Sequence, residues 1–214
     1  MNILIMGPAG SGKGTMSEKI LENYNIPHIS TGDMLREAIK KGTDLGLQAQ
    51  TFMNEGKLVP DDLVIGLIAE RLQQEDCQQG YLIDGFPRSL PQAKALEEIT
   101  NKINKPIQMV LNLTVEFDAL AERVTGRRIC KNCGAIYHVK SNPPKVEGIC
   151  DVCGSPLTQR ADDTVEQLRV RLDEHYKNTQ PCLDYYKEKG LVVDINASRP
   201  IEMVYNDISC ALAK

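Results

Sequence analysis

The chain opens with MNILIMGPAGSGKGT, residues 1–15, in which a short apolar run, Asn2–Met6, meets a glycine-rich turn leading to Lys13 and an amphipathic segment. An apolar run of this length directly before such a turn predicts a buried strand, and the segment after it predicts a helix. Between the two, glycine backbones let successive N–H groups converge on phosphate oxygens, the helix N-terminus adds positive potential, and Lys13 reaches the terminal phosphates. A glycine-rich turn by itself says little. The strand before it, the helix after it and Gly12-Lys13 at this spacing make it a phosphate loop, with Gly10, Ser11, Gly12, Lys13, Gly14 and Thr15 as nucleotide-binding residues. The general pattern places Ser or Thr directly after the lysine to hold magnesium; here Gly14 stands there and Thr15 follows.

Outward from the loop, short apolar runs alternate with amphipathic segments, the rhythm of a mostly parallel sheet covered by helices. Strands are expected at Asn2–Met6, His28–Ser30, Tyr81–Asp84, Ile107–Leu113 and Leu191–Ile195. Helices are expected near Gly14–Tyr24, Asp33–Lys40, Asp61–Gln74, Leu90–Ile99, Glu116–Thr125, Thr164–Asn178 and Pro200–Leu212. Ser89 and Gln92 have the form of a capping box, and Asp61 after Pro60 that of a helix cap. Two stretches depart from the rhythm: Thr31 to Val59 is helical in pattern without a strand, and Gly126 to Asp163 is rich in Gly, Pro and Cys without a helical period. The expected architecture is therefore an α/β P-loop three-layer fold with a central parallel sheet. Its core is 1–29, 60–125 and 164–214, with a small helical insertion at 30–59 and a cysteine-rich flap at 126–163.

The 214 residues, 42% apolar, suffice for one sizeable core. A formal charge of −4 supplies no global field for a polyanion, so a nucleic acid would need a local basic patch. No apolar run approaches the roughly 18 residues of a membrane span, and the N-terminus lacks a secretory pattern. Seven cysteines, with Cys77, Cys182 and Cys210 outside the two pairs, fit reduced thiols better than a disulfide framework. The expectation is a cytoplasmic monomer with no membrane or nucleic-acid partner.

Three further blocks carry chemistry: HISTGDMLR at 28–36, GKLVP at 56–60, and DGFPR at 84–88 with Gln92. Asp84 ends a predicted buried strand at the mouth of the sheet, where ligands collect in open α/β folds, and could orient magnesium through its waters. A solvated turn aspartate is the plainer reading of that position. Arg36 and Arg88 are planar forks suited to a phosphate.

Together with GKGT and the cysteine-rich insert, these blocks resemble the adenylate kinases of the nucleoside monophosphate kinase family, in their long-lid, zinc-containing bacterial form, over nearly the whole chain. Ala9 stands where the family's usual GxPGxGKGT loop has proline, and Met16 where many members have Gln. The resemblance implies that 30–59 is the nucleoside-monophosphate-binding domain and 126–163 the lid. It implies that Arg36 and Arg88 clamp the AMP phosphate, that Thr31 and Gln92 carry the base preference, and that Lys57, Leu58, Val59, Gly85, Phe86 and Pro87 line the acceptor site. On the donor side it implies contacts with ATP from Arg127, Ile136, Tyr137 and the backbone near Arg199.

A phosphate monoester near neutral pH is already substantially dianionic, its second pKa being roughly 6, so it attacks without a general base. The obstacle is charge repulsion, which alignment and cations relieve. Lys13, Arg88, Arg123, Arg160 and Arg171, with Asp84, are the candidate catalytic residues. Arg160 and Arg171 also serve the acceptor, and Arg127 joins Arg123 on one face, four residues along a helix end. Arg169 and Arg171 point to different sides, and the resemblance selects Arg171 for the cleft. Asp162 and Asp163 either pair with lid arginines or cap the next helix.

Cys130-x2-Cys133 and Cys150-x2-Cys153, sixteen residues apart, have the spacing of a four-cysteine zinc site. Two disulfides compete with that reading, and iron is a second metal that four thiolates accept. Four thiolates close the tetrahedron, which makes the metal structural and leaves His138 outside it. The function expected is magnesium-dependent phosphoryl transfer from ATP to AMP giving two ADP, the alternatives being a GTP:AMP phosphotransferase or a zinc-ribbon nucleic-acid-binding ATPase.

Overall fold

The computed structural model describes residues 1–213. Its elements are β1 (Asn2–Met6), α1 (Lys13–Leu21), β2 (His28–Ser30), α2 (Thr31–Lys41), α3 (Asp44–Asn54), α4 (Asp61–Arg71), β3 (Tyr81–Asp84), α5 (Leu90–Lys102), β4 (Met109–Thr114), α6 (Phe117–Gly126), β5 (Arg127–Cys130), β6 (Ile136–His138), β7 (Leu157–Thr158), α7 (Val165–Glu174), α8 (Gln180–Glu188), β8 (Val192–Asn196) and α9 (Ile201–Leu212). All five β1 residues are buried, because the strand is covered on both faces. It lies at the centre of a parallel sheet in the order β2-β3-β1-β4-β8. Successive β1 side chains go to opposite faces. Leu4 and Met6 join a core with Ile68, Leu96 and Leu183 of α4, α5 and α8, while Ile3 and Ile5 pack with Ile20 and Ile208 of α1 and α9.

Strand β1 is flanked by β3 on one side and β4 on the other, the chain passing from β3 across β1 to β4, so the crevice beyond the carboxyl ends of these strands is where a ligand belongs. Both excursions emerge around that crevice. Residues 30–59 carry α2 and α3, packed so closely that a Cβ on Gly46 would lie 2.3 Å from the Ala38 carbonyl group. Residues 126–163 carry a three-stranded antiparallel sheet, β6-β5-β7.

Several expectations need correction. The pattern marked one helix in the first excursion, but α3 is a second, opened by Thr43, whose hydroxyl accepts from Gly46 N–H at 3.1 Å. The helix expected over Thr164–Asn178 is α-helical only to Glu174, then passes through a π-helical turn, His175–Thr179, into α8. The sequence pattern marks no helix at α8; Pro181 lies inside a helix continuous with α7, and the π-helical turn directly before it is where the ladder adjusts to a residue that has no N–H to give. Asp61 is not a cap: Pro60 holds that position, and the Asp61 carboxylate reaches instead to Ser89 and Gln92. Ser89 does cap α5, but the box is open, because the Gln92 side chain accepts from Arg88 N–H and not from Ser89.

Candidate active site

The phosphate loop leaves β1 through Gly7, Gly10 and Gly12, whose φ angles of 138°, 84° and 95° suit glycine alone. Helix α1 then starts on Lys13. The Lys13 ammonium donates to Gly7 O at 2.8 Å and Pro8 O at 2.9 Å. Burial pushes its pKa down to about 8, and the Arg88, Arg171 and Arg127 guanidiniums act in the same direction against the Asp84 carboxylate. Ser11 Oγ and Arg160 Nε are buried without a hydrogen-bond partner among the described residues, which marks donors available to an anion.

Asp84 ends β3 with His28 Nε2 3.8 Å from its carboxylate. Burial alone would raise its pKa; His28, Lys13 and Arg88 outweigh that and hold the carboxyl below its usual range. Arg88 donates from Nε to Gly85 O at 2.7 Å, and burial lowers its pKa to about 10. Arg160 is lowered to about 10 by the same cause and stands 3.5 Å from Asp33, which also pairs with Arg36 at 2.6 Å. Arg123 donates to Ala197 O at 2.8 Å. Arg127 is gripped by Asp163 through both carboxylate oxygens, and Arg171 lies 3.0 Å from Asp162. Thr164 caps α7, so the two aspartates pair with the arginines and leave the capping alternative aside. Arg169 is exposed, and Arg128 donates to Thr125 O and Arg127 O.

A cavity of ≈ 720 Å³ fills the crevice. Gly10, Ser11, Gly12, Lys13 and Thr15 form its floor, with Ile136 and Tyr137 of β6 and the Ala197–Glu202 segment around Arg199 on its walls. Gly14 stands beside it, a Cβ there meeting Ile136 Cδ1 at 3.1 Å, so β6 lies directly over the loop. Eight cationic residues line the cavity with Asp84 and Glu202; Arg36, Arg127, Arg160, Arg171 and Arg199 among them are paired with neighbouring aspartates, partners that the phosphates of a polyanion could replace. A second space of ≈ 70 Å³ is lined by Thr31, Lys57, Leu58, Val59 and Gln92, and shares Arg36, Gly85, Arg88 and Arg171 with the first. The shared wall is where two phosphate chains would meet. Phe86 and Pro87 line an adjoining space of ≈ 60 Å³ that shares Gly56, Leu58, Gly85, Arg88 and Arg171 with the acceptor space, and Phe86 itself is 1% exposed.

A family profile described as Adenylate kinase matches residues 5–191. The chain belongs to the adenylate kinase family. It is 55% identical over 208 residues to an adenylate kinase of a Geobacillus species, covering 97% of this chain and 96% of that one. It is 50% identical over 214 residues to the Methanosarcina acetivorans adenylate kinase, covering 100% and 99%, and 52% identical over 208 residues to that of Bacillus subtilis, covering 97% and 96%. It is a nucleoside monophosphate kinase that moves a phosphoryl group from ATP to AMP with ADP as product, magnesium accompanying ATP. Nothing favours the GTP-donor or nucleic-acid alternatives. Among the described residues no helix is long and apolar enough to cross a membrane.

In this adenylate kinase fold Cys130, Cys133, Cys150 and Cys153 come together, their sulfurs all within 4.8 Å of one another. Zn–S bonds of about 2.3 Å would set tetrahedral sulfurs about 3.8 Å apart, and Cys130 to Cys153 and Cys133 to Cys150 measure 3.4 and 3.5 Å. Two matching turns hold them, Gly134 N–H donating to Cys130 O and Gly154 N–H to Cys150 O, each at 2.9 Å. The donor set fits a metal bound by four thiolates. His138 is outside the cluster: its Nδ1 accepts from Lys140 and Ser141 N–H, and its Nε2 faces Glu122 O at 3.2 Å. Tyr137 lines the cavity and also places its hydroxyl 3.5 Å from Cys150 Sγ.

Sequence reasoning missed Asp33, which sits inside the STGD block as the partner of two arginines, and His175, which nothing in an amphipathic helix singles out. Burial pushes His175 down from 6.5 to about 4, with Lys13 and Arg88 adding to the effect. Between those values the unfolded chain binds a proton that the folded one refuses. The resulting stability is fully present above pH 6.5 and is lost as pH falls toward 4, amounting to about 3 kcal/mol at most. Urea unfolding at pH 7 and 4.5 is therefore expected to show a steeper acid loss in the parent than in His175→Asn; equal losses would place the acid sensitivity elsewhere.

Proposed function

We propose that the cleft divides the reaction among its residues as follows. The phosphate loop, Gly10 to Thr15, wraps the ATP phosphates with backbone N–H groups, and Lys13 leaves the Gly7 and Pro8 carbonyls for the transferring phosphoryl group. The AMP phosphate is clamped by Arg36 and Arg88, the latter already fixed by its bond to Gly85. Arg123, Arg160 and Arg171 complete the positive cage around the transferred group, and Asp84 orients the magnesium. A magnesium ion held there through Asp84 would supply positive charge to neutralise the negative charge that develops on the phosphates. The AMP phosphate attacks without a base, because the cage removes repulsion and the closed site excludes water. Residues 30–59 and 126–163 act as flaps that close over a fixed core, bringing Arg36, Arg127 and Arg160 to the phosphates. ATP adenine lies between β6 and the Arg199 backbone.

Base choice rests on Thr31 and Gln92. The Thr31 hydroxyl donates to Gly85 O at 2.9 Å, which leaves its lone pairs to accept from a ligand. An acceptor there matches the 6-amino group of adenine and opposes the 6-oxo group of guanine. The chain works in the cytoplasm with its thiols reduced, and zinc, bound by Cys130, Cys133, Cys150 and Cys153, holds the lid in shape. Tyr137 supports that site, since its hydroxyl accepts from Asp151 N–H at 2.8 Å and so keeps its own proton for the Cys150 sulfur.

The convergence of Arg36, Gly85, Arg88 and Arg171 on the wall shared by both cavities carries this reading. A coupled assay with AMP, CMP, UMP and GMP tests it, and AMP is expected to lead by about 10²-fold or more in kcat/KM. Preference for another acceptor would overturn the roles of Thr31 and Gln92. Metal analysis of the purified chain showing one zinc per molecule supports the lid site, whereas iron or none refutes it.

A further inference from the structure

We infer that Asp61 is a specificity-determining positioning residue: it fixes the orientation of the Gln92 amide and thereby the hydrogen-bonding face offered to the acceptor base. The inference rests on the reading of Gln92 as the residue that meets that base.

Gln92 lies in the first turn of α5, 2% exposed, on the wall of the acceptor cavity. Its side-chain oxygen accepts from Arg88 N–H at 2.7 Å, and its Nε2 donates to Asp61 Oδ1 at 2.7 Å. The other carboxylate oxygen of Asp61 accepts from Ser89 Oγ at 2.9 Å, and Ser89 Oγ in turn accepts from Gln92 N–H at 3.3 Å. An amide can ordinarily be turned over with little change in shape, and its orientation follows from its partners. Here both partners have one polarity only: an ionised carboxylate accepts and a backbone N–H donates. Turning the amide over would set its oxygen against Asp61 and its NH₂ against Arg88 N–H, breaking two partly buried hydrogen bonds at once.

Each of those bonds uses part of the amide's capacity. One Nε2 hydrogen and one lone pair of the oxygen remain. That pair complements adenine, whose N1 accepts and whose 6-amino group donates. It opposes hypoxanthine, whose N1–H donates and whose 6-oxo group accepts, although the two bases have nearly the same shape. Asp61 stands at the start of α4, a different element from Gln92, so the reading of the base depends on how α4 and α5 are packed together.

The test compares kcat/KM for AMP and inosine monophosphate, with ATP as donor, in the parent, Gln92→Ala and Asp61→Asn, alongside melting temperatures. Asparagine keeps the shape of Asp61 but can present either an acceptor or a donor, so it removes one of the two constraints. The ratio of AMP to inosine monophosphate is expected to fall about tenfold in Asp61→Asn, as the loss of one such constraint implies, through a higher KM for AMP, while KM for ATP stays unchanged. Proportional losses for both nucleotides, or a ratio equal to the parent's when Gln92→Ala lowers it, would overturn the inference. An unchanged ratio in Gln92→Ala would instead overturn the reading of Gln92 on which it rests.

Discussion

Replacing Lys13 by methionine is expected to lower kcat on the order of 10³-fold, the cost of removing a preorganised cation from a transferring phosphoryl group. The melting temperature should move by less than about 3 °C, the equivalent of roughly 1 kcal/mol in a chain of this size. The two effects separate because the ammonium is poorly placed for stability. It is buried among Arg88, Arg171 and Arg127 with Asp84 as its one opposing carboxylate, and its pKa of about 8 records the strain of keeping it charged there. Methionine fills the same space without that charge. Its loss leaves Gly7 O and Pro8 O without a donor from Lys13, but Pro8 O still accepts from Ser11 N–H at 3.2 Å. Steady-state kinetics beside calorimetry would check this. Parallel losses of rate and stability would mean that Lys13 mainly holds the loop together.

Removing the metal from the four-cysteine site should have the opposite profile. The flap at 126–163 has a core of only Cys130, Tyr137 and Cys150, with Ala135 and Leu157 packed beside it. So little buried apolar surface cannot fold 38 residues, and on the proposed reading a metal bound by the four thiolates would supply the difference. A metal present at about 1,000 times its dissociation constant stabilises by roughly 4 kcal/mol. At about 2–4 °C per kcal/mol that predicts a fall in melting temperature of roughly 10 °C on chelation under reducing conditions. Well below the lowered transition, kcat should stay within about threefold of the parent, because four thiolates leave no coordination position for a reacting group. Calorimetry and assays on the same chelated sample would decide it. A folded, metal-free chain without activity would place the metal in the reaction.

The phosphate loop, the paired cysteines and the central strands were legible because each depends on neighbours along the chain. Glycines at 7, 10 and 12 must take backbone angles that other residues avoid, whatever packs around them. Knuckle turns after Cys130 and Cys150 close over four residues. An unbroken apolar run such as Ile3 to Met6 belongs in the middle of a sheet covered on both faces. Helix α8 and the π-helical turn before it were not legible, since a proline reads as a helix end unless such a turn lets the ladder run past it.

Sequence by itself determined the α/β class, the chemistry of the loop, the identity of the cysteine quartet and the arginines from which the cleft is built. Only the tertiary structure decided the partners of those residues. Asp61 looked like a cap for its own helix and instead holds Gln92 on another; Asp163 looked equally like a cap and grips Arg127, 36 residues away. Tyr137 lines the nucleotide cavity and at the same time reaches a cysteine of the quartet with its hydroxyl. The physical reason is the same in each case: a charged or polar side chain taken out of water must find a partner of matching polarity. Which partner lies within reach depends on how distant elements cross, and no local pattern along the chain records that.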